Sequence, residues 1–195
     1  ILGAATATTP CPDVRSHLLC HTMELDFHTH DLNTPPGAGI VCLPQCVVQH
    51  PDDWMPQPGG RYAAGIHPWW TADADFSLSR YLEALTRLLA HPEVEQIGEC
   101  GFDRLRGADI ERQRAVFDAQ AALAEDFERP MTLHVVRAFD LILEAHKRHH
   151  PRRKWTIHGF RGKPALAQQL LDAGFDLSFG RHYNPDAFAL TPPHR

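Results

Sequence analysis

The order of apolar and polar positions from Glu24 onward indicates strands that alternate with helices. Short apolar runs bounded by Gly and Pro are typical of buried strands, and apolar residues at helical spacing lie between them. The clearest helix follows Ser77, and further helices are predicted at about 109–127, 138–149 and 164–173. The predicted strands are 24–28, 39–48, 61–66, 94–99, 131–136, 154–158 and 175–179.

This alternation leaves two arrangements, an open doubly wound sheet or a TIM-type (β/α) barrel that lacks one unit. The sequence has no GxGxxG motif and no GxxxxGKS/T motif, so the nucleotide-binding form of the open sheet loses its main support. Polar residues follow several predicted strands, which favours the barrel because its strand ends converge on one mouth. We therefore predict an α/β fold of the TIM-barrel type, with seven strands visible and the eighth missing.

Composition and charge narrow the class of protein. The chain has 195 residues, which is the length of one domain, and its 43% of hydrophobic residues suit a globular core. A net charge of -5 argues against a protein that wraps nucleic acid with a globally basic surface. The unusual count is 14 histidines, because histidine is the commonest metal ligand.

The cysteines and the chain ends bear on compartment and boundaries. Five irregularly spaced cysteines indicate reduced thiols rather than a disulfide framework, and we interpret Cys42 and Cys46 as buried thiols rather than metal ligands. We predict a cytoplasmic protein without a membrane partner, because no stretch has the length and apolar character of a membrane span. Residues 1–22 are interpreted as a leader or arm outside the fold, and residues 23–195 as the domain.

Several residues that could bind metal lie at or just beyond the ends of predicted strands. His28 and His30 form an H-x-H pair, whose imidazoles project to the same side of a strand and can hold one ion. Glu99 follows an apolar run and requires a cation, hydrogen-bond donors or an inward arginine. His134 and His158, each taken alone, would also fit a hydrogen-bonded core histidine.

Together these residues predict a binuclear metal site. A glutamate between two histidine pairs can bridge two cations, which about 3.5 to 4 Å apart would acidify water and clamp phosphoryl oxygens. A single-metal site and a purely structural cluster are the alternatives. The donors do not choose among Mg²⁺, Mn²⁺, Zn²⁺ and iron.

One basic run, KRHHPRRK (147–154), could follow the phosphates of a nucleic acid. It lies between a predicted helix and the sixth strand, which is the side of a barrel away from the mouth. A solvated helix end is therefore the preferred interpretation.

Five ordered motifs resemble the TatD family of metal-dependent hydrolases, within the amidohydrolase-like barrels. The resemblance runs from about residue 23 to residue 180. The motifs are LDFHTH (25–30), GIHPWW (65–70), IGECGFDR (97–104), TLHVVRAFD (132–140) and IHGFRGKPALAQQLLDAGFDLSFG (157–180).

The resemblance implies roles for the metal ligands. His28 and His30 would hold one ion, Glu99 would bridge both ions as the catalytic carboxylate, and His134 with His158 would hold the second. Members of this family are magnesium- or manganese-type nucleases and phosphodiesterases. We therefore expect hydrolysis of phosphate esters, with two divalent cations as cofactors, DNA or a small phosphodiester as substrate, and a monomeric protein.

The resemblance also implies that His67 lies near the substrate phosphate and that Arg137 could face the anionic substrate. For His67 the alternative is a turn residue before Pro68. For Arg137 it is a surface ion pair. Asp103 and Arg104 follow the bridging glutamate and are expected to order its surroundings.

The C-terminal part departs from the family. TatD-like chains continue beyond the position of LTPPHR (190–195) into an eighth strand with an E-T-D sequence, whose Asp is a metal ligand and candidate general base. Asp186 does not match that motif. We interpret the sequence as a short, truncated member and expect weak or no activity. An amidohydrolase acting on C-N or ester bonds and a non-catalytic remnant that binds metal or a partner stay open.

Overall fold

Seven parallel strands form one sheet in chain order. The computed structural model describes residues 26–195, and each strand pairs with the next one along the chain. The sheet is curled: the imidazole ring of His28, in the first strand, lies 3.9 Å from that of His158, which directly follows the sixth strand. The strands are β1 (Asp26–Thr29), β2 (Gly39–Cys42), β3 (Tyr62–Ala64), β4 (Val94–Asp103), β5 (Met131–Val136), β6 (Trp155–Ile157) and β7 (Asp176–Leu177).

Helices connect most of these strands, which confirms the predicted α/β fold of the TIM-barrel type. Two short 3-10 helices, Pro51–Asp53 and Pro68–Ala72, precede and follow β3. The predicted helix bounds agree with the structure to within one or two residues. The helices are α1 (Gln45–Gln49), α2 (Leu78–Leu89), α3 (Ile110–Asp126), α4 (Phe139–His149), α5 (Pro164–Asp172) and α6 (Pro185–Leu190).

The predicted strand over 39–48 is wrong in its second half. β2 ends at Cys42, and Pro44 takes an extended conformation at the N-cap of α1. A short apolar run does not distinguish a buried strand from a buried helix by periodicity. In contrast, β4 is longer than predicted and continues through Glu99 to Asp103, so both carboxylates lie on one strand.

The main core lies between the sheet and its helices. Phe102 of β4 packs on Phe117 of α3 with ring centroids 4.9 Å apart, and both side chains are fully buried. Leu85 and Leu88 of α2 and Ile142 of α4 are also fully buried. The apolar face of each helix thereby covers the sheet and fixes the strands whose ends carry the predicted site.

The structure leaves two predictions about the chain untested. The predicted leader, residues 1–22, lies outside the described residues, and the domain bounds 23–195 stay a prediction. Among residues 26–195, no helix combines the length and the apolar character needed to cross a membrane.

Candidate metal centre

Glu99 lies at the centre of a histidine cluster at the carboxyl ends of the strands, and it is only 5% exposed. Its Oε2 atom lies 3.3 Å from the Nε2 of His28 and 3.5 Å from the Nε2 of His30. Its Oε1 atom lies 2.8 Å from the Nδ1 of His134 and 3.9 Å from the Nε2 of His67. Each carboxylate oxygen therefore faces its own group of histidines.

The H-x-H pair projects to one side, as the strand geometry predicts. The Nε2 atoms of His28 and His30 lie 3.1 Å apart, close enough to share a hydrogen bond or to approach the same cation. The side chain of His28 is 3% exposed, whereas that of His30 is 66% exposed. His30 therefore lies at the edge of the cluster, where solvent reaches it.

His158 and His67 join opposite sides of the cluster. His158 stacks on His28, and ligand atoms of His158, His28 and Glu99 lie within 4.8 Å of one another. A second group with the same spacing contains His67, Glu99 and His134. The structure thus brings all five predicted ligands together, and it also brings His67 within reach of the same carboxylate.

Burial and hydrogen bonding set the protonation of these groups. Burial lowers the pKa of His67 and of His158 to about 4, so both imidazoles are neutral at pH 7. Burial alone would raise the pKa of Glu99, but hydrogen bonds with His134, His28 and His30 hold it well below its usual range. His67 and His158 therefore offer neutral nitrogens beside a carboxylate, whereas hydrogen bonds with Glu99 raise the pKa of His30 and, against the effect of burial, that of His134.

This donor set fits a divalent cation. The Nδ1 of His158 is buried and has no hydrogen-bond partner within residues 26–195. Buried nitrogens are almost always paired with a donor, an acceptor or a metal. Metal binding requires deprotonated ligands, and neutral imidazoles beside a buried carboxylate meet that requirement.

Asp103 orients His134 from the far side of its ring. The Nε2 of His134 lies 3.1 Å from Asp103 Oδ2, which also accepts a 2.6 Å hydrogen bond from Trp69 Nε1. These two hydrogen bonds outweigh the effect of burial and lower the pKa of Asp103. His134 is therefore held between two carboxylates, those of Asp103 and Glu99. Arg104 instead pairs with the exposed Asp140.

Two buried glutamines of α3 position the strand ends, and the sequence analysis missed them. The Oε1 of Gln113 accepts from the backbone N–H of Asp103 at 2.8 Å, and its Nε2 donates to the Asp103 carbonyl at 2.9 Å. The Oε1 of Gln120 accepts from the backbone N–H of Ile66 at 2.6 Å, one residue before His67. The available signal was polar residues seven apart on the same face as buried Val116 and Phe117.

Close packing of β3, β4 and β5 brings their terminal side chains together. A Cβ atom on Gly65 would lie 2.8 Å from the backbone of Gly98, and one on Gly98 would lie 2.7 Å from the Thr132 carbonyl. Only glycine allows such an approach between backbones. Glu99 directly follows this contact, so the glycines help to place it between His67 and His134.

A pocket of about 830 Å³ opens above the cluster. Arg137, which is exposed, and Arg161 lie on its rim, and Trp69 and Trp70 contribute aromatic surface. The guanidinium of Arg106 lies 3.7 Å from the centre of the Trp69 ring. The rim therefore supplies positive charge and aromatic faces beside the buried carboxylate.

The two cysteines predicted to be buried differ. Cys46 is exposed on α1, so that prediction is wrong for it, because the helix that begins after Pro44 turns its side chain outward. Cys42 is buried in the pocket wall, and burial together with the nearby Glu99 carboxylate raises its pKa to about 12.

The chain is similar to known metal-dependent hydrolases. It is 36% identical over 123 residues to the metal-dependent hydrolase YjjV of Escherichia coli strain K12, an alignment that covers 61% of this chain and 46% of the relative. It is 33% identical over 135 residues to the 3'-5' ssDNA/RNA exonuclease TatD of Erwinia tasmaniensis, which covers 65% of this chain and 47% of that protein. The chain thus spans about half the length of these relatives.

A solved structure and a family model agree with these similarities. The crystal structure of E. coli YjjV, a TatD homologue, superposes with a TM-score of 0.62 at 27% identity, covering 80% of this chain and 67% of that one. The model for the TatD related DNase family matches residues 57–187, a range that contains Glu99, His134 and His158. The chain belongs to the TatD related DNase family.

Proposed function

We propose that this protein is a metal-dependent phosphodiesterase that hydrolyses single-stranded nucleic acid. One observation carries the proposal: the two oxygens of the buried Glu99 carboxylate face separate groups of histidines at the floor of a basic-rimmed pocket. A carboxylate in that position serves two cations at once.

The residues divide into two proposed ligand groups around Glu99. His28 and His30 would bind a cation beside Oε2 of Glu99, and His134 would bind a cation beside Oε1. His158, with its unpartnered Nδ1, completes the set of five. Two divalent cations held there would supply Lewis acidity toward a phosphoryl oxygen and lower the pKa of a bound water.

The remaining residues orient these ligands and the substrate. Asp103 Oδ2 holds the Nε2 side of His134, which directs the Nδ1 of that ring toward Glu99. His67 is neutral at pH 7 and lies at the pocket edge of the cluster, where it can contact a phosphate oxygen. Arg137 and Arg161 on the rim attract the anionic backbone of the substrate.

The substrate class follows from the pocket chemistry and the relatives. Aromatic side chains beside cationic ones are typical of sites for single-stranded nucleic acid, because bases stack on the rings while phosphates meet the charges. Several relatives are named 3'-5' ssDNA/RNA exonucleases. We therefore propose single-stranded DNA as the first substrate to test.

The deciding experiment is an assay of hydrolysis under Mn²⁺, Mg²⁺ and Zn²⁺. Single-stranded DNA, double-stranded DNA, bis-p-nitrophenyl phosphate and a model amide are offered to the 195-residue chain and to the chain extended by a strand with the E-T-D sequence. We expect the phosphodiesters to be cleaved, with stronger turnover by the extended chain. Cleavage of the amide alone would overturn the proposal in favour of an amidohydrolase, and metal binding without any cleavage would favour a non-catalytic protein.

A matched pair of variants tests the carboxylate. Glu99→Gln keeps the size of the side chain but removes the charge, so we expect a loss of turnover greater than about 100-fold. Glu125→Gln removes a carboxylate that pairs with Arg152 just before the amino end of β6, away from the cluster, and it should leave turnover unchanged. Both substitutions are made in the extended chain, and equal rates in Glu99→Gln and in the extended chain without a substitution would reject the proposed role of Glu99. Cytoplasmic localisation and a monomeric state stay predictions.

A further inference from the structure

One thiol lies among the ligand atoms of the cluster. β2 ends at Cys42, and its register pairs Val41 with Thr29 of β1, which brings Cys42 beside the H-x-H pair. Cys46 lies four residues further along the chain but is exposed on α1. Of these two cysteines, only Cys42 belongs to the wall of the pocket.

The sulfur of Cys42 is positioned for coordination. Its Sγ atom and one nitrogen from each of His28 and His30 all lie within 4.8 Å of one another. The backbone N–H of Glu99 donates a 3.2 Å hydrogen bond to this sulfur, which fixes its direction and favours negative charge on it. Two imidazoles and one thiol at this spacing form a donor set that binds zinc in proteins.

We propose that Cys42 is a thiolate ligand of the cation that His28 and His30 hold, so that this side of the centre is a soft site for Zn²⁺. The inference rests on the metal centre described under the proposed function and adds a ligand to it. Together with Oε2 of Glu99, the donors are two nitrogens, one sulfur and one oxygen.

Coordination leaves the oxidation states unchanged. The S–H bond of Cys42 breaks, its proton passes to solvent, and the electron pair that remains on sulfur forms the bond to the cation. The two imidazoles carry no charge when they bind, and Glu99 contributes one negative charge. The divalent cation thus balances the thiolate and the carboxylate, which removes the cost of burying both anions.

The two sides of Glu99 then differ in chemistry. The donors on the other side, the Nδ1 of His134 and the Oε1 of Glu99, are nitrogen and oxygen without sulfur. Thiolates select Zn²⁺ and other soft cations, whereas carboxylate and imidazole donors also accept Mn²⁺. We therefore expect Zn²⁺ to prefer the side of Cys42 and Mn²⁺ the side of His134.

Cobalt substitution tests the sulfur ligand directly. Metal-free chain is titrated with Co²⁺, and the near-ultraviolet charge-transfer band between sulfur and cobalt is recorded. We expect this band in the unmodified chain and in Cys46→Ser, and we expect it to disappear in Cys42→Ser. Cys46→Ser is the matched control because it removes an exposed thiol of the same segment. A band of full strength in Cys42→Ser would overturn the assignment.

Metal selectivity gives a second readout. Chelator competition should show a loss of Zn²⁺ affinity of about tenfold or more in Cys42→Ser, with Mn²⁺ affinity nearly unchanged. Equal losses for both cations would contradict a sulfur ligand. Circular dichroism of each variant verifies that the fold is kept.

A measurement on the unmodified chain avoids any effect of substitution on folding. X-ray absorption of the Zn²⁺-loaded protein should show one sulfur at about 2.3 Å. Only nitrogen and oxygen neighbours would overturn the inference. Sulfur ligation without phosphodiester cleavage by the extended chain supports the ligand and rejects the proposed function, whereas cleavage without a sulfur signal rejects the ligand alone.

Discussion

At the amino end of β6, the basic run 147–154 forms ion pairs with several separate carboxylates, whereas at the carboxyl end of the sheet a single carboxylate lies beside four histidines. Arg152 pairs with Glu125 at 2.7 Å, and Lys154 pairs with Asp176 at 3.1 Å. At the other end, His28, His30, His67 and His134 all lie within 3.9 Å of Glu99.

The two ends differ in whether their polar groups already have partners. The cations of the basic run are paired with carboxylates, whereas the histidine cluster contains a nitrogen without a partner. The ion pairs of the basic run are at least partly solvated, and pairs of that kind contribute little to stability. In the histidine cluster, the buried Nδ1 of His158 has no hydrogen-bond partner within residues 26–195. An unpartnered buried nitrogen beside a shared carboxylate indicates a cation site, whereas a high density of charge alone does not.

The largest expected effect is on metal affinity, and it compares a histidine of the cluster with a histidine of the basic run. His158→Asn removes a proposed ligand beside His28 and Glu99 and should lower Zn²⁺ affinity by more than about 100-fold. His149→Asn removes a histidine that pairs with Asp118 and should leave the affinity unchanged. Isothermal titration calorimetry measures both. Similar affinities in the two variants would erase the distinction between the ends.

The acidic partners of histidine give a smaller contrast. Asp103→Asn removes the charge that holds His134, and we expect metal affinity to fall by about 10- to 100-fold because the ring loses its fixed orientation. Asp118→Asn removes the equivalent charge beside His149, and metal affinity should not change. Chelator competition distinguishes these outcomes, and an unaffected Asp103→Asn would show that the hydrogen bond does not support the centre.

Acidification should lower the free energy of unfolding of the metal-free protein because His67 is buried in its neutral form. The pKa of His67 is about 4 in the folded protein and 6.5 in the unfolded chain. The unfolded chain therefore binds a proton first as the pH falls. The stability that depends on neutral His67 is complete above about pH 6.5 and declines toward pH 4. Between about pH 7 and pH 5 the stability of the unmodified chain relative to His67→Asn should fall by about 2 kcal/mol. Urea unfolding in a chelator measures this change, and parallel pH curves would refute it.

The smallest effect compares two arginines. Arg152→Ala should change the free energy of unfolding by less than about 1 kcal/mol and leave phosphodiester hydrolysis unchanged, because its ion pair is solvated. Arg137→Ala should raise KM several-fold with little change in kcat, since this residue lines the pocket rim. Steady-state kinetics tests both, and a raised KM in Arg152→Ala would assign substrate binding to the basic run.

Much of the fold could be predicted because strands and helices here have clear periods. The helix Leu78–Leu89 has an apolar stripe at i, i+3, i+4 and i+7, and the strand Met131–Val136 is bounded as predicted. The segment after Pro44 was mispredicted because five apolar or neutral residues fit either period. The length of β4 was missed because the glycines on either side of Glu99 resemble the end of a strand.

The sequence could predict which residues form the candidate site, but it could not predict how their atoms are arranged. The sequence placed His28, Glu99 and His158 near the ends of three parallel strands, and because parallel strands all end on one side, it could bring these residues to one mouth. Which oxygen of Glu99 meets which ring depends on the curl of the sheet, and no residue pattern encodes the curl. The sequence could not separate Cys42 from Cys46 for a different reason, which is that the short run after Pro44 fits a strand as well as a helix.

The position of Glu99 between two ligand groups has a thermodynamic consequence. When one carboxylate is shared, a cation on the Oε2 side withdraws electron density from the Oε1 side and also fixes the side chain that the second cation requires. Under the two-cation proposal the two binding events are linked, and whatever factor the first cation applies to the affinity of the second, the second applies to the first. Cation binding would then be described by a coupling free energy as well as by two dissociation constants.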